Sequence, residues 1–158
     1  MKVVRKTLSL MMIVVISFSL VACKSYKKVT GKQFTKKMEA EDYVVKESET
    51  RGFEECLIAC SQDGNIAFEY YYGEDKSAAS EIFDNVHQNI KNNKKNGTLK
   101  KTTNKVEFKG SFESDSELAS LEYVVAIRAD EMVIVAYSAS KDSEYVDEID
   151  GILDDLCG

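Results

Sequence analysis

The chain has 158 residues, of which 30% are charged and 44% hydrophobic, and its formal net charge at pH 7 is −6. A chain this acidic lacks the surplus of Lys and Arg that neutralises phosphate groups, so no nucleic-acid partner is expected. The length suffices for one domain with a single core and not for two.

The N-terminal 22 residues have the layout of a secretory signal. Three basic residues near the start precede an apolar run that ends at Ala22, which is the charged-then-apolar order of a signal peptide. The run is shorter than the roughly 20 apolar residues that a membrane-spanning helix requires. Residues 1–22 are therefore predicted to be a cleaved signal peptide.

The end of this run, Leu20-Val21-Ala22-Cys23, carries a more specific signal. It resembles the lipobox of bacterial lipoproteins, in which a cysteine after a small residue is lipidated and becomes the new N-terminus. The resemblance covers residues 1–23 and implies cleavage after Ala22, a diacylglyceryl group on Cys23 and a location on the extracytoplasmic side of the cell membrane. Two acyl chains give stable attachment, since each buried methylene contributes about 0.8 kcal/mol. An uncleaved anchor and an ordinary secretory signal are the alternatives.

Removal of the signal makes the chain more acidic. It takes away three basic residues and no acidic one, which leaves 18 basic and 27 acidic residues and a net charge of −9. Residues 23–29 are polar and lysine-rich, which is typical of a flexible tether, and their lysines would also favour anionic lipid headgroups. Residues 30–158 are predicted to form a single domain.

The first half of this domain predicts one helix and three strands. Thr30 and Gln33 have the spacing of a capping box at a helix start. The Asp63-Gly64 pair lies between two β-rich runs and predicts a tight hairpin turn with positive φ at both residues. The helix is placed at 31–41 and the strands at 43–45, 53–61 and 66–72.

The second half repeats this order and adds a final helix. Asp75 is predicted to cap a helix whose apolar residues recur with helical spacing up to Ile90, and Ser140 is predicted to cap the last helix. The polar run 91–97 between them has no periodicity and is interpreted as a loop. The strands are placed at 105–112, 120–128 and 132–138.

Hairpin connections dominate this element order, so the expected fold is α+β. We predict an antiparallel sheet of about six strands in α-βββ-α-βββ-α order, with the helices packed on one face. The second hairpin, rich in Val and Ile, is expected to be central. Strand alternation then exposes an apolar patch on the opposite face, and such patches mark partner or ligand surfaces. The candidate binding face for a protein or a small ligand comprises Leu57, Ala59, Tyr71, Val124 and Ala126.

The sequence contains no pattern typical of an enzyme active site. Its one histidine, His87, lies at the edge of the apolar stripe of the second helix, and no GxSxG, HExxH or phosphate-binding loop occurs. The acidic cluster of the last helix lacks the spacing of a calcium-binding loop. We therefore expect no catalytic residue, metal or cofactor and predict a non-catalytic binding module. A carboxylate-dependent hydrolase acting on the cell envelope and a structural envelope lipoprotein remain the alternatives.

Three cysteines remain once Cys23 is assigned to lipid. In an extended strand the Cα atoms of Cys56 and Cys60 would be roughly 13 Å apart, well beyond the limit of about 7 Å for a disulfide. The two residues are therefore not expected to pair with each other, and both are predicted to be small buried core residues.

We expect the Cys23→Ala variant to be released from the membrane or to accumulate as an unprocessed precursor, because the acceptor of the lipid is gone. Membrane fractionation followed by intact-mass measurement checks this, with Cys60→Ala as the control that keeps the lipobox. A Cys23→Ala protein that stays on the membrane at the mature mass of the wild type would contradict the prediction.

Overall fold

The computed structural model describes residues 25–158, so the predicted lipobox at 20–23 and the start of the predicted tether lie outside the described part. Within this part the chain forms three helices and seven strands. In chain order the elements are α1 (Gly31–Ala40), β1 (Val44–Ser48), β2 (Phe53–Cys60), β3 (Ile66–Gly73), α2 (Lys76–Asn93), β4 (Lys94–Lys101), β5 (Lys105–Phe112), β6 (Tyr123–Ala129), β7 (Met132–Ser138) and α3 (Ser143–Cys157).

All strands belong to one antiparallel sheet with the order β1-β2-β3-β7-β6-β5-β4. This confirms the α+β class and the central position of the β6–β7 hairpin. The element order is α-βββ-α-ββββ-α, however, with seven strands instead of about six, because part of the run 91–97 that predicts a loop belongs to the strand β4. Its sequence KKNGTLKK is polar apart from Leu99, and an edge strand tolerates such a sequence.

The edge pair β4–β5 depends on two glycines. Gly97 has a φ of 113° and pairs with Gly110 across the two strands. A Cβ added to Gly97 would approach the Cα of Gly110 to 2.4 Å, which is far too close for two carbon atoms. The pair therefore needs glycine at this position both for its left-handed backbone and for the close approach.

The helices cover both faces of the sheet, so the prediction that they share one face is wrong. One hydrophobic core lies under α1 and α3, and the other lies under α2. The reason is the central hairpin, because almost every residue of β6 and β7 is buried. A strand that is apolar on both faces needs a cover on both, as the strands of parallel sheets do.

On the first face, α1 and α3 pack on an aromatic cluster. The predicted capping box is confirmed, since Gln33 N donates to Thr30 Oγ1 at 3.2 Å and Thr30 N donates to Gln33 Oε1 at 2.8 Å. It starts a helix that buries Phe34 against Tyr70, with the ring centroids 5.2 Å apart.

The predicted tether is shorter than residues 23–29, because the chain packs on the domain from Tyr26 onward. Tyr26 packs against the first core and Val29 is buried within it. Lys27 N donates to Cys157 O at 2.8 Å, and the Tyr70 hydroxyl donates to Val29 O at 3.0 Å. These contacts form because the lysine-rich segment also contains two large apolar residues.

Two residues that were predicted to shape a turn and a helix start, Asp63 and Ser140, have other roles in the structure. At the β2–β3 turn only Gly64 has a positive φ, of 74°, while the Asp63 carboxylate accepts hydrogen bonds from the Ser61 hydroxyl and from Asn65 N. The N-cap of α3 is Asp142 rather than Ser140. The hydroxyl of Ser140 accepts a hydrogen bond from Asp142 N and so stabilises the preceding turn.

The cysteine predictions are correct only in part. Cys56 and Cys157 are buried, but Cys60 is exposed, because it lies on the α2 side of β2 at a position that α2 does not cover. The strand predicted for Cys56 and Cys60 is present as β2, so the geometry on which the non-pairing prediction depends is present.

Truncation of a side chain in the doubly covered hairpin is expected to destabilise the whole domain. Ile134, with no exposed surface, should lose about 2–5 kcal/mol of unfolding free energy on substitution by Ala. Val44 is 53% exposed, so Val44→Ala should change it by no more than about 0.5 kcal/mol. Urea unfolding of residues 24–158 measures both, and equal losses would contradict the assignment of the core.

Candidate ligand-binding cleft

The five residues predicted to form one open binding face lie on opposite sides of the sheet, so that prediction is wrong. Leu57 pairs with Tyr70 and Ala59 pairs with Phe68, and cross-strand partners project to the same face. Both therefore lie in the core under α1 and α3. The other three are on the α2 side, with Val124 and Ala126 buried beneath the helix and Tyr71 half-buried at its margin.

A cleft of about 420 Å³ lies open on the α2 side of the sheet, beside the C-terminal half of the helix. Its floor is formed by β6 and β7 through Val124 and Val135. One wall is α2, and the other is the loop 113–122 between β5 and β6. The apolar side chains of the two walls are Val86, Ile90, Leu118 and Leu121.

The loop that forms the second wall is held at both ends. Glu113 N donates to Asn93 O at 2.8 Å, and Glu122 N donates to Ser138 O at 3.0 Å. Between these anchors, Leu121 N donates to Leu118 O at 2.9 Å, which turns both leucines toward the core under α2. The wall is thus a packed structure rather than a free loop.

The polar end of the cleft is the carboxylate of Glu69 on β3. The Tyr137 hydroxyl donates to Glu69 Oε1 at 2.7 Å, and the Tyr71 hydroxyl donates to Glu69 Oε2 at 2.6 Å. An ionised carboxylate offers about four acceptor positions. Each oxygen therefore retains one, and the two tyrosines fix the orientation of the group. The edge-to-face contact of Tyr71 with Phe53, with centroids 5.4 Å apart, holds one of these rings in place.

The charged residues that line the cleft are all acidic. No Lys or Arg lines it, whereas a second carboxylate, Glu117, lies at its exposed rim. Within residues 25–158, Glu69 forms no ion pair. Burial and the neighbouring Glu69 raise the pKa of Tyr71 and of Tyr137 above the ordinary value. Both hydroxyls are therefore protonated donors at neutral pH.

A second cavity, of about 310 Å³, lies on the other side of the sheet, and Lys105 and Asp150 are among its lining residues. Its charges are satisfied internally. The Tyr123 hydroxyl donates to Asp150 at 2.9 Å, and Lys105 Nζ lies 2.7 Å from Glu107 Oε2. The charged groups of this second cavity are therefore less available to a ligand than the carboxylate of Glu69.

His87 is half-buried on α2, as its place in the helical pattern predicted. Its Nδ1 is buried without a hydrogen-bond partner. Burial and the nearby positive charges of Lys101 and Lys91 lower its pKa. Because Nδ1 has no partner, no hydrogen bond to a carboxylate orients the ring through this nitrogen, as it would in a catalytic base that activates a nucleophile.

Across residues 25–158, no group of three or more His, Cys, Asp or Glu side chains is arranged to hold a metal ion. In the same part of the chain, no helix is long and apolar enough to cross a membrane.

The sequence reading missed the polar end of the cleft and the loop wall. Glu69 did carry a signal, because it is the one charged residue in the strand IAFEYYYG, and a charge in a half-buried strand calls for local partners. Leu118 carried none, since it lies in an irregular segment without periodicity, and Leu121 falls inside the strand predicted at 120–128, which in the structure begins only at Tyr123.

Comparison with family models and with curated proteins gives no significant match. Among solved structures, the chain is similar to the crystal structure of a GTP-binding regulator from Thermotoga maritima. The sequence identity is 16%, the TM-score is 0.49, and the match covers 82% of this chain and 91% of the other.

The raised pKa values of the tyrosines predict a loss of stability in alkali. Above about pH 10 the tyrosines of the unfolded chain lose protons that the folded chain keeps, so the unfolding free energy falls as pH rises. Tyr137→Phe should make this fall less steep. Urea unfolding over an alkaline pH series checks the prediction, and an equally steep fall in wild type and variant would contradict it.

Proposed function

We propose that the protein is a lipid-anchored, extracytoplasmic, non-catalytic binding module that takes up a small ligand in the cleft beside α2. The observation that carries the proposal is the cleft itself, which combines a volume of about 420 Å³ with apolar walls and one oriented carboxylate. Small-molecule sites are typically concave, mostly apolar and supplied with a few fixed polar groups.

The geometry favours binding over catalysis. The two tyrosine hydroxyls at Glu69 donate to the carboxylate and orient it. A hydrolase of the two-carboxylate type needs a second carboxylate facing the first across the scissile bond. Glu117, the other carboxylate of the cleft, is exposed at its rim, which suits a solvated charge better than a catalytic one.

The proposed lipid anchor would place the domain at the membrane surface. Cys23, the proposed site of lipidation, precedes Tyr26 by three residues, and a connection of this length spans at most about 11 Å. Since Tyr26 already packs on the domain, the lipid would hold the domain close to the bilayer. The cleft would then bind ligands that are present near the extracytoplasmic face of the cell membrane.

Partial filling of the cleft is expected to weaken binding without loss of the fold. Asn89 is exposed and lines the cleft, so Asn89→Trp should occupy part of its volume and weaken binding of the neutral fluorophore N-phenylnaphthylamine at least about tenfold. Gln88→Trp is the matched control, because Gln88 is exposed on α2 and is not among the lining residues. Fluorescence titration of residues 24–158 measures both.

His87→Gln tests whether the one histidine of the sequence has a role in function. The non-catalytic proposal predicts unchanged fluorophore binding and an unchanged cellular phenotype in this variant.

Equal affinities of the Asn89→Trp and Gln88→Trp variants for the fluorophore, or no binding of the fluorophore to the wild type, would overturn the proposed site.

A further inference from the structure

We infer that the ligand of the cleft is an organic ammonium ion, whose N–H groups bind Glu69 while its apolar body lies against Val86, Leu118 and Leu121. This inference rests on the proposed function, because it names the chemical class of ligand for the same cleft.

The first argument is the state of the Glu69 carboxylate. Glu69 is half-buried at the end of an apolar cleft, and a carboxylate in such surroundings is costly unless hydrogen bonds and a counter-charge compensate it. Tyr71 and Tyr137 supply one hydrogen bond to each oxygen, but residues 25–158 supply no cation to it. A ligand with a positive charge would provide what the protein lacks.

The second argument is the charge of the surroundings. The cleft contains two carboxylates and no basic side chain, so an anionic ligand would be repelled. A neutral ligand would cover Glu69 and leave its charge without a partner in a drier environment. Charge complementarity therefore selects a cation over both alternatives.

The third argument concerns the kind of cation. Each oxygen of Glu69 retains an acceptor position after the tyrosine bonds are made, and charge-assisted N–H to carboxylate hydrogen bonds are stronger than neutral ones. A primary or secondary ammonium group can donate to these positions, whereas a quaternary ammonium group cannot. The apolar walls favour an alkyl or aryl body.

Three probes that share one apolar body separate the effect of charge from that of the cleft. Phenylbutylamine is a cation at neutral pH, phenylbutanol is neutral and phenylbutyrate is an anion. Each is titrated against residues 24–158 at low ionic strength, by displacement of N-phenylnaphthylamine. We expect the amine to bind at least roughly tenfold more tightly than the alcohol, and the carboxylate to bind most weakly.

Glu69→Gln, which keeps the shape of the side chain, should bring the amine and the alcohol to the same affinity. Glu81→Gln is the matched control, because it removes one negative charge from an exposed position on α2 outside the cleft, and it should keep the preference for the amine. Circular dichroism confirms that both variants are folded. A second measurement needs no variant, since the preference of the wild type for the amine should fall as salt is added.

Equal affinity of the wild type for the three probes would overturn the inference, as would a preference for the amine that survives in Glu69→Gln or is insensitive to salt. In each of these cases the fluorophore would still bind, so the proposed cleft would stand. Failure of the wild type to bind the fluorophore and all three probes would overturn both.

Discussion

The structure depends on one constraint, which is that the central hairpin β6–β7 is apolar on both faces. Almost all its residues are buried, and neither face can be left in contact with water without a large loss of hydrophobic stabilisation. The chain meets this demand with α1 and α3 on one side and α2 on the other. The lengths and positions of these helices then decide which parts of the sheet remain accessible.

The candidate cleft follows from the incomplete cover on the α2 side. A single helix cannot span the width of the sheet, and the loop 113–122 fills only part of the remaining space. The gap between helix and loop leaves a cleft above Val124 of β6 and Val135 of β7, and it ends at Glu69, which cross-strand pairing places beside Val135. The apolar walls and the oriented carboxylate are therefore both consequences of how the second face is covered.

Two of the errors in the sequence-based predictions have clear physical origins in strand pairing. Leu57 and Ala59 were assigned to the wrong face because the parity of β2 relative to β3 is set by the pairing register, and a shift of one residue reverses every side chain of a strand. The strand β4 was missed because its lysines and Gly97 have low strand propensity, and its pairing depends on a close approach to Gly110 that lies outside any local pattern.

The sequence by itself determined the α+β class, the capping box that starts α1, most strand positions and the central place of the β6–β7 hairpin, because these depend on local periodicity and capping. It also contains Leu20-Val21-Ala22-Cys23, whose resemblance to a lipobox predicts a lipid-anchored location. Only the tertiary structure decided which helix covers which face, where the domain begins, and that Tyr71 and Tyr137 meet at Glu69. Those features depend on strand register and on contacts between residues far apart in the chain, which local patterns do not encode.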